Sequence, residues 1–443
     1  MSMKSAAFAV KASTVKSRVG GFHRHLMRNE RLPPAELAAL QNGLAQETVR
    51  TAMRESPYYR RTFSTLEIDP HALADPQTWT ALPVLDRQTI KAHRTEFPTA
   101  QANARTARTA LTGGSTGEPL QTMHDARVPK LALAWRMYSW WGIQPWDDLA
   151  RFGRWNLGPK AALKNAVSWW PTRQIYLDAV KITDETMSRF HAEMMRVRPR
   201  LFEGYAGTLV EFADFLERSG LPAPQLTALA STAAPLTAPV RTRLEAVFDA
   251  PLYDEYRASE LGWIAGECGE QDGLHVFADV LRVEVVDEEG LSVGPGEVGD
   301  IVITDLRNRV FPLIRYRTGD RGILRDAPCP CGRTLPLMES PRGRTNDVLY
   351  LPDGTALAHH LTVMFSEHPE SVRLFQVHQH EDYSITVRVV EGEAPDSRAH
   401  IDTAVEALRT RTGGHLPVRL EMVDSLPYTG GKTKYILSDV VRD

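Results

Sequence analysis

The sequence predicts an α/β protein with a large layered α/β domain followed by a small α+β domain. Three observations predict this class. Residues 208–248 read as a helix, a short apolar strand and a second helix, which is the alternation of a layered α/β domain. Residues 281–306 alternate apolar and polar side chains as strands do. The last hundred residues repeat strand and helix patterns as a separate small unit.

The individual elements follow from apolar spacing and from breakers. Residues 35–65 place Leu37, Leu40, Leu44 and Val49 roughly on one face, which predicts a helix. The later elements are predicted as a helix at 208–217, a strand at 226–230, a helix at 240–248, strands at 281–287 and 299–306, a hairpin turn at 350–357, strands at 373–379, 384–390 and 418–423, and a helix at 402–411. The boundary falls near residue 340, so the predicted domains are 1–340 and 341–443.

The composition is that of an ordinary globular protein. Apolar residues make up 42% and charged residues 24% of 443 residues. The net charge of −3 gives no reason to expect nucleic acid as a partner, and no apolar run approaches the roughly 18 residues of a membrane span. Three cysteines form no complete disulfide framework, which favours a reducing compartment, and we expect a cytoplasmic protein. A homodimer is compatible with the sequence.

The first thirty residues form a basic segment. Six cations, Lys4, Lys11, Lys16, Arg18, Arg24 and Arg28, precede the first acidic residue, Glu30. An Arg-rich, acid-poor start is found in transit peptides. It is more often a frayed basic tail or a first helix, and we favour these two interpretations over a transit peptide.

A glycine- and hydroxyl-rich loop, TALTGGSTGEPLQT, spans residues 109–122. Its glycines permit turns whose successive amides can hold an anion. The P-loop of nucleotide-binding proteins needs four spacers and then Gly-Lys-Ser/Thr, whereas here three residues separate Gly113 from Gly117 and Glu118 stands where the lysine would be. The stretch alone leaves two readings open, a phosphate loop of another kind and a surface turn.

Four further motifs follow the loop in a fixed order. They are YRASE (256–260), RYRTGD (315–320), GRTND (343–347) and LPYTGGKTKY (426–435). The ordered set resembles the adenylate-forming superfamily of acyl- and aryl-CoA ligases and adenylation domains, and within it the phenylacetate-CoA ligase-like branch. The resemblance covers roughly residues 55–443.

The resemblance implies ATP-dependent activation of a carboxylic acid to an acyl-AMP with release of pyrophosphate, followed by displacement of AMP by a nucleophile. It also implies a mobile small domain that closes as a lid. The residues implied to bind nucleotide are Thr112, Gly113, Gly114, Ser115, Thr116 and Gly117 around the phosphates, Ala233, Ala234 and Pro235 along the adenine, Tyr256 against the purine, Arg257 and Ser259 in the YRASE motif, and Asp320 on the ribose hydroxyls. Among these, Thr112 is also a candidate catalytic residue.

Two further catalytic residues are implied by the resemblance. Glu260 holds Mg²⁺, since a carboxylate is a hard oxygen ligand. Lys432 on the small domain contacts the carboxylate and α-phosphate oxygens during adenylation, with a hinge near residues 342–344 allowing the domain to rotate for the second step. In isolation Lys432 reads as a solvated tail lysine; the preceding PYTGG favours the catalytic role, with Lys434 as the second candidate. Arg344 is a candidate contact for an acceptor phosphate.

The chain departs from the family pattern in two places. Glu118 follows the last loop glycine where relatives often carry lysine, and an acid beside a polyphosphate is repulsive unless it points away. Arg257 replaces a glycine of the usual YGxTE-type motif, and its guanidinium is long enough to reach a pyrophosphate.

The cysteines form a candidate metal site with one histidine. Cys268, His275, Cys329 and Cys331 supply three thiols and an imidazole, a complete set for tetrahedral structural zinc. The spacing is looser than that of paired CxxC motifs, and buried free thiols are the alternative. The phenylacetate-CoA ligase-like branch carries similar Cys/His sets, which favours zinc in a structural role.

The acid pocket is predicted less sharply. Seven of nine tryptophans lie between Trp135 and Trp170, which suggests an aromatic acid, although core packing is the ordinary role of any one of them. The stretch FEGYAGTL aligns with the segment that borders the acid in relatives. The candidates are Glu203, Tyr205, Ala206 and Gly207, with Trp141 and His124 as weaker ones. Glu203 either meets a polar substituent or supports the pocket from behind.

We therefore predict an AMP-forming carboxylate ligase that uses ATP, Mg²⁺ and CoA and carries structural zinc. A carrier protein, an amine or another condensation is the alternative for the second step. A catalytically silent nucleotide-binding protein is the rival from another class, motivated by Glu118 and Arg257. A kinase or P-loop ATPase is disfavoured by the glycine spacing.

Overall fold

We describe a computed structural model of the chain. The residues it describes are 3–14, 17–66, 68–111, 120–153, 159–178, 182–233, 236–341, 349–352, 356–357, 364–365, 368–412, 416–426 and 435–440. Of these residues, no helix is both long enough and apolar enough to span a membrane.

The helices are concentrated in the first 250 residues. They are α1 (Met3–Ser13), α2 (Ser17–Asn29), α3 (Pro34–Glu55), α4 (Pro57–Ser64), α5 (Pro76–Thr80), α6 (Arg87–Ala92), α7 (Leu131–Trp140), α8 (Pro159–Trp169), α9 (Asp184–Val197), α10 (Ala206–Ser219), α11 (Ala238–Phe248) and α12 (Ser397–Arg411).

The strands begin after residue 100 and are mostly short. They are β1 (Ala107–Leu111), β2 (Gln121–Asp125), β3 (Leu149–Gly153), β4 (Gln174–Asp178), β5 (Leu201–Tyr205), β6 (Ala228–Thr232), β7 (Leu252–Ala258), β8 (Gly262–Glu267), β9 (Leu274–Val276), β10 (Leu281–Val286), β11 (Gly299–Asp305), β12 (Tyr316–Gly322), β13 (Leu324–Arg325), β14 (Leu337–Met338), β15 (Leu349–Tyr350), β16 (Ala356–Leu357), β17 (Val372–Gln379), β18 (Ile385–Glu391), β19 (Val418–Met422) and β20 (Ile436–Ser438).

The chain divides into two compact units. Unit 1 comprises Met1–Phe8, Gly142–Asp254 and Arg342–Asp443, and unit 2 comprises Ala9–Trp141 and Glu255–Pro341. These units are defined by compactness. The predicted boundary at residue 340 concerns instead a large domain and a lid that rotates during catalysis, and it stays a prediction.

The central part of unit 1 is a layered α/β structure. Its strands follow the order β7-β6-β5-β3-β4, and β3 pairs in parallel with β4 and β5, as β5 does with β6. Helices α9, α10 and α11 bury a cluster of phenylalanines against this sheet, in which the Phe152 and Phe202 rings meet edge to face at 4.9 Å. Such edge-to-face contacts add to the stabilisation from burying the rings.

The C-terminal part of unit 1 has its own sheet, in the order β19-β18-β17-β20. Antiparallel β17 and β18 are flanked by parallel partners, β20 beside β17 and β19 beside β18. A separate buried cluster fills it, including Val377, Val387, Ile401 and Val405. This is the α+β pattern that the sequence predicts for the last hundred residues.

Unit 2 contains mainly antiparallel strands. Strands β10, β11 and β12 form one sheet, while β8 pairs with β7 and β9, and β14 lies between β9 and β13. Helix α2 packs along α7. Residues 17–29 of the basic segment are therefore a helix within unit 2, which is one of the two interpretations favoured for that segment.

The α/β fold class predicted from the sequence is confirmed, with one local difference. Residues 34–64 form two helices, because Ser56 is extended at φ −97° and ψ 122° and Pro57 begins the second helix. Proline disfavours helical geometry in the residue before it. Its nitrogen also carries no hydrogen, so it cannot donate a hydrogen bond to the preceding helical turn.

Candidate active site

Tyr256 and Asp320, two predicted nucleotide-binding residues, are in direct contact in unit 2. Tyr256 lies in β7 and Asp320 in β12, and the Tyr256 hydroxyl donates to Asp320 Oδ2 at 2.7 Å. Burial, reinforced by the Asp320 carboxylate, raises the pKa of Tyr256 well above its usual value, so the phenol stays a donor. The contact fixes the direction in which the Asp320 carboxylate points.

Glu260 is held by a second tyrosine in the same unit. Tyr316, the first residue of β12, donates its hydroxyl to Glu260 Oε1 at 2.9 Å. Both side chains are buried, and burial together with the Glu260 charge raises the pKa of Tyr316. Only one Glu260 oxygen takes part in this bond, so the geometry fits a carboxylate whose other oxygen serves a cation.

The backbone on both sides of Glu260 is bonded to a Lys–His pair. Lys130 Nζ donates to Leu261 O at 2.5 Å and to His124 Nδ1 at 2.7 Å, and His124 Nε2 lies 2.8 Å from Ser259 O. Since Lys130 donates to Nδ1, His124 is the neutral tautomer with its proton on Nε2, which donates to Ser259 O. Burial first, and Lys130 second, lower the pKa of His124 to about 4, which agrees with a neutral ring.

The Arg257 side chain interacts with two neighbouring side chains of unit 2. It forms an ion pair with Glu255, and its guanidinium lies 4.5 Å from the centre of the Trp263 ring. Its predicted contact with pyrophosphate stays a prediction.

The candidates in unit 1 gather at one edge of the parallel sheet. Tyr205 ends β5 and pairs with Thr232, which ends β6 and precedes Ala233. Ala206 and Gly207 open α10 directly after Tyr205 and are buried. The carboxyl ends of parallel strands are where open α/β sheets bind ligands, so these four candidates lie at the edge expected of a binding site.

Ala233 has an unusual backbone conformation at this edge. Its φ is +72°, a region that costs a residue with a Cβ of order 1–3 kcal/mol, and its side chain is exposed. Strain of this kind at the end of a parallel strand is common at binding sites.

Glu203, also in β5, is buried and paired with a cation. Arg151 Nη2 lies 3.5 Å from Glu203 Oε2, and the Arg151 guanidinium lies 5.9 Å from the centre of the Trp169 ring. This ion pair matches the reading of Glu203 as a residue that supports a pocket from behind. Its contact with a substrate stays a prediction.

The described tryptophans serve mainly in packing. In unit 2, Trp141 Nε1 donates to Glu267 O at 2.9 Å and Trp140 Nε1 donates to Glu30 Oε2 at 2.9 Å. Trp135 meets the His23 ring edge to face. The role of Trp141 in the acid pocket stays a prediction.

The four candidate metal ligands converge in unit 2. Ligand atoms of Cys268, His275, Cys329 and Cys331 all lie within 4.8 Å of one another. Cys268 Sγ and Cys329 Sγ are 3.6 Å apart, too far for a disulfide and close to the roughly 3.8 Å between two thiolates of a tetrahedral zinc site.

His275 has the orientation that such a site requires. Its Nδ1 lies 3.2 Å from Leu335 O and its Nε2 lies 3.3 Å from Cys331 Sγ. Burial lowers the pKa of His275 to about 4, so the ring is neutral, which is the ligating form. A backbone carbonyl that accepts a hydrogen bond from the other ring nitrogen is typical of metal-bound histidine.

The chain is similar in sequence to known proteins. No family model matches the chain. The phenylacetate-coenzyme A ligase of Thermus thermophilus is 27% identical over 368 residues, 79% of each chain. The enzyme of the same name from Aromatoleum evansii is 25% identical over 331 residues, 73% of each chain.

This chain is a homologue of phenylacetate-CoA ligases. The resemblance predicted from the ordered motifs is thereby confirmed.

Solved structures of a CoA ligase share the fold of this homologue. A 2-hydroxyisobutyryl-CoA ligase in the postadenylation state with 2-HIB-AMP superposes with a TM-score of 0.77 at 19% identity, covering 93% of this chain and 91% of that one. An open conformation of that enzyme, in complex with 2-HIB-AMP and CoA, superposes with a TM-score of 0.66 at 19% identity, covering 94% of each chain.

Part of the predicted site of this phenylacetate-CoA ligase homologue lies outside the described residues. These positions are Thr112, Gly113, Gly114, Ser115, Thr116, Gly117, Glu118, Ala234, Pro235, Arg344, Lys432 and Lys434. Their roles stay predictions.

Sequence reasoning missed three residues that hold the site of this homologue together. The sequence indicates no role for Tyr316, although it stands in the RYRTGD motif, and none for Lys130. His124 was a weak pocket candidate, whereas the structure bonds it to Ser259 O beside Glu260. The only available signal was the position of Tyr316 within a motif, because the Lys130–Leu261 contact joins residues 131 positions apart.

Proposed function

We propose that the protein is an AMP-forming ligase that activates an aromatic carboxylic acid with ATP and transfers the acyl group to CoA. The observation that carries the proposal is the pairing of Tyr256 with Asp320 and of Tyr316 with Glu260, which holds two motif carboxylates of unit 2 in fixed directions. Homology to phenylacetate-CoA ligases supports the reaction class.

The first step joins two anions, so positioning and charge neutralisation dominate it. Asp320 accepts hydrogen bonds from the ribose hydroxyls, and Tyr256 keeps that carboxylate aligned. Glu260 supplies an oxygen ligand for Mg²⁺, which when bound neutralises phosphate charge. Tyr316, His124 and Lys130 hold Glu260 and its backbone in place.

The loop at 112–117 and Lys432 complete the adenylation site in this proposal. The loop amides and hydroxyls surround the outer phosphates. Lys432 places its ammonium between the acid carboxylate and the α-phosphate, so that the carboxylate oxygen attacks phosphorus and pyrophosphate departs. The second step has the CoA thiolate attack the acyl carbon, with AMP leaving.

The identity of the acid is inferred from the relatives. Those named phenylacetate-coenzyme A ligase favour an arylacetic or related aromatic acid. The 2-hydroxyisobutyryl-CoA ligase of similar fold was solved in complex with 2-HIB-AMP, so a branched hydroxy acid is the second candidate.

The decisive experiment is ATP–pyrophosphate exchange with phenylacetate, benzoate, cinnamate and 2-hydroxyisobutyrate. We expect exchange with one aromatic acid, and loss of roughly 10²–10³ in rate for Lys432→Ala. Lys434→Ala is the matched control, and we expect it to retain exchange. Bound ATP without exchange for any acid would favour a silent nucleotide-binding protein.

The acceptor is identified separately. Release of AMP that requires CoA supports the ligase. Release that ignores CoA and needs a carrier-protein thiol or an amine contradicts the CoA step but leaves the adenylation step in place. Formation of ADP would point to phosphoryl transfer.

We also propose that Cys268, His275, Cys329 and Cys331 bind a structural Zn²⁺. Four protein ligands leave no open position, and the site joins the segment after β8 to the segment after β13. We expect at least one zinc per chain by metal analysis, and intense thiolate-to-metal absorption when Co²⁺ replaces the ion in this site. Cys331→Ser removes one of the three thiolates and should weaken that band. We place the protein in a reducing cytoplasmic compartment, because such thiols must stay reduced.

A further inference from the structure

A second cluster of potential metal ligands lies in the C-terminal sheet of unit 1. His378 is in β17, His380 follows that strand, and Asp439 follows β20, which runs parallel to β17. The register pairs His378 with Leu437 and Gln379 with Ser438, which sets His380 beside Asp439. Since alternate residues of a strand share a face, the two imidazoles and the carboxylate lie on one face.

This face is opposite to the buried one. Val377 and Gln379 are fully buried, whereas the His378 side chain is 18% exposed and the Asp439 side chain 50% exposed. The three side chains are therefore reachable by an ion from solvent and are held by a sheet whose other face is packed.

The potential ligand atoms of the three side chains lie close together. Ligand atoms of His378, His380 and Asp439 all lie within 4.8 Å of one another. His378 Nε2 is 2.7 Å from Asp439 Oδ2, and the two imidazole rings are 4.4 Å apart between centres. An ion pair between His378 and Asp439 does not by itself require the His380 imidazole to lie beside the His378 ring.

The Thr386 hydroxyl orients the His380 ring, and Asp439 itself orients the His378 ring. His380 Nε2 lies 2.8 Å from the Thr386 hydroxyl on β18, which leaves Nδ1 for a ligand. His378 Nδ1 is buried and has no hydrogen-bond partner among the described residues, where the ion pair with Asp439 satisfies one of the two ring nitrogens. Hydrogen bonds from the second ring nitrogen commonly hold metal-binding imidazoles in place.

We propose that His378, His380 and Asp439 form a binding site for a divalent transition metal, with Zn²⁺ as the expected ion. Two imidazoles and one carboxylate are ligands that Zn²⁺ and its neighbours prefer, and three protein ligands leave an open position for water. The ion replaces the His378–Asp439 hydrogen bond and joins β17 to the end of β20.

The position of the site gives it a structural consequence. Strand β20 begins at Ile436, four residues after Lys432. A metal that fixes the end of β20 against β17 anchors the carboxyl side of the segment that carries Lys432. The proposed site has no thiol ligand and does not depend on the proposed enzyme activity.

The test is a Zn²⁺ titration by calorimetry of the full-length, untagged protein, first loaded with one equivalent of Zn²⁺. We expect a second equivalent to bind, and His380→Ala and the isosteric Asp439→Asn each to weaken that second event roughly tenfold or more. His71→Ala, which removes an exposed histidine far from this sheet in sequence, is the matched control and should bind as wild type does.

Co²⁺ titration separates this site from the cysteine site. The second Co²⁺ equivalent should add d–d absorption without a thiolate charge-transfer band, because no sulfur ligates it. The proposal is overturned by the absence of a second equivalent, by a second event that His380→Ala and Asp439→Asn leave unchanged, or by one that disappears instead in His368→Ala, which alters the other histidine cluster near His400.

Discussion

Two tyrosine hydroxyls set the direction of the two carboxylates on which the proposed chemistry depends. Tyr256→Phe removes the donor to Asp320, and we expect the KM for ATP to rise roughly fivefold, equivalent to about 1 kcal/mol for one hydrogen bond. Tyr316→Phe removes the donor to Glu260, and we expect a higher Mg²⁺ concentration for half-maximal rate instead. Steady-state kinetics with ATP and Mg²⁺ varied independently measures both.

Each tyrosine variant is the control for the other, because both lose one buried hydroxyl and keep the ring. Thermal unfolding of both variants reports whether either change acts through the fold. Equal changes in the ATP and Mg²⁺ dependences of the two variants would contradict separate roles for Asp320 and Glu260.

His124 gives unit 2 a predictable response to acid. The ordinary pKa of histidine is 6.5, and burial together with Lys130 lowers the pKa of His124 to about 4 in the folded protein. Between these values the unfolded chain binds a proton that the folded chain does not, so the free energy of unfolding falls as the pH falls from about 6.5 to about 4. His124→Gln should make this fall shallower.

Urea denaturation at pH 7, 6 and 5 measures that slope. His71→Gln changes an exposed histidine and should keep the wild-type slope. If His124→Gln also keeps it, the ring is not held neutral as the contacts with Lys130 and Ser259 O require.

At the scale of single residues, the sequence predicts the site residues that stand in motifs. It does not predict the residues that hold them in place by hydrogen bonds. Glu260 and Asp320 stand in ordered motifs, so the resemblance identifies them directly. Lys130 meets Leu261 and Tyr316 meets Glu260 across long sequence separations, and a single sequence contains no information on which strands bring them together.

At the scale of elements, helix α7 is fixed by a fully buried ion pair. Arg136 Nη1 lies 3.0 Å from both carboxylate oxygens of Asp279, and Asn29 in α2 donates to the same carboxylate at 3.0 Å. Arg136→Met leaves the Asp279 charge buried without its cation, and we expect a loss of about 3–5 kcal/mol in the free energy of unfolding.

Chemical denaturation of Arg136→Met and of Arg136→Met/Asp279→Asn separates the charge from the packing. The double variant should recover much of the loss, since no uncompensated charge remains. Arg196→Met, which breaks an exposed ion pair with Glu193, should change stability little. A double variant no more stable than the single one would assign the loss to packing against Phe277, 4.4 Å from the guanidinium.

The elements themselves were predictable where periodicity is long. The helix predicted at 208–217 is α10, and the alternation at 281–287 and 299–306 is the antiparallel pair β10 and β11. The two-residue strands β13 and β14 are too short for any periodicity to show. They exist because β14 pairs with β9 and β13 pairs with β14. Tertiary pairing therefore decides the short elements.

At the scale of the whole molecule, the two compact units combine segments that are distant in sequence. Unit 1 joins Gly142–Asp254 to Arg342–Asp443, although composition and motifs place a boundary near residue 340. Sequence patterns detect a change of local character along the chain. They do not detect which segments pack together, because that depends on contacts between surfaces rather than on spacing.

The proposed movement of the C-terminal segment predicts that one variant, Lys432→Ala, affects the two half-reactions differently. If Lys432 serves only adenylation, Lys432→Ala should lower acid- and ATP-dependent formation of acyl-AMP by roughly 10²–10³, because one electrostatic contact with the reacting oxygens is lost. The same variant, supplied with synthetic acyl-AMP and CoA, should form thioester within a few-fold of the wild-type rate. Quench-flow assays of the two half-reactions measure both rates, with Lys434→Ala as control. Equal losses in the two steps would mean that Lys432 supports one site used throughout, and rotation of the segment after residue 340 would no longer be needed to explain the reaction.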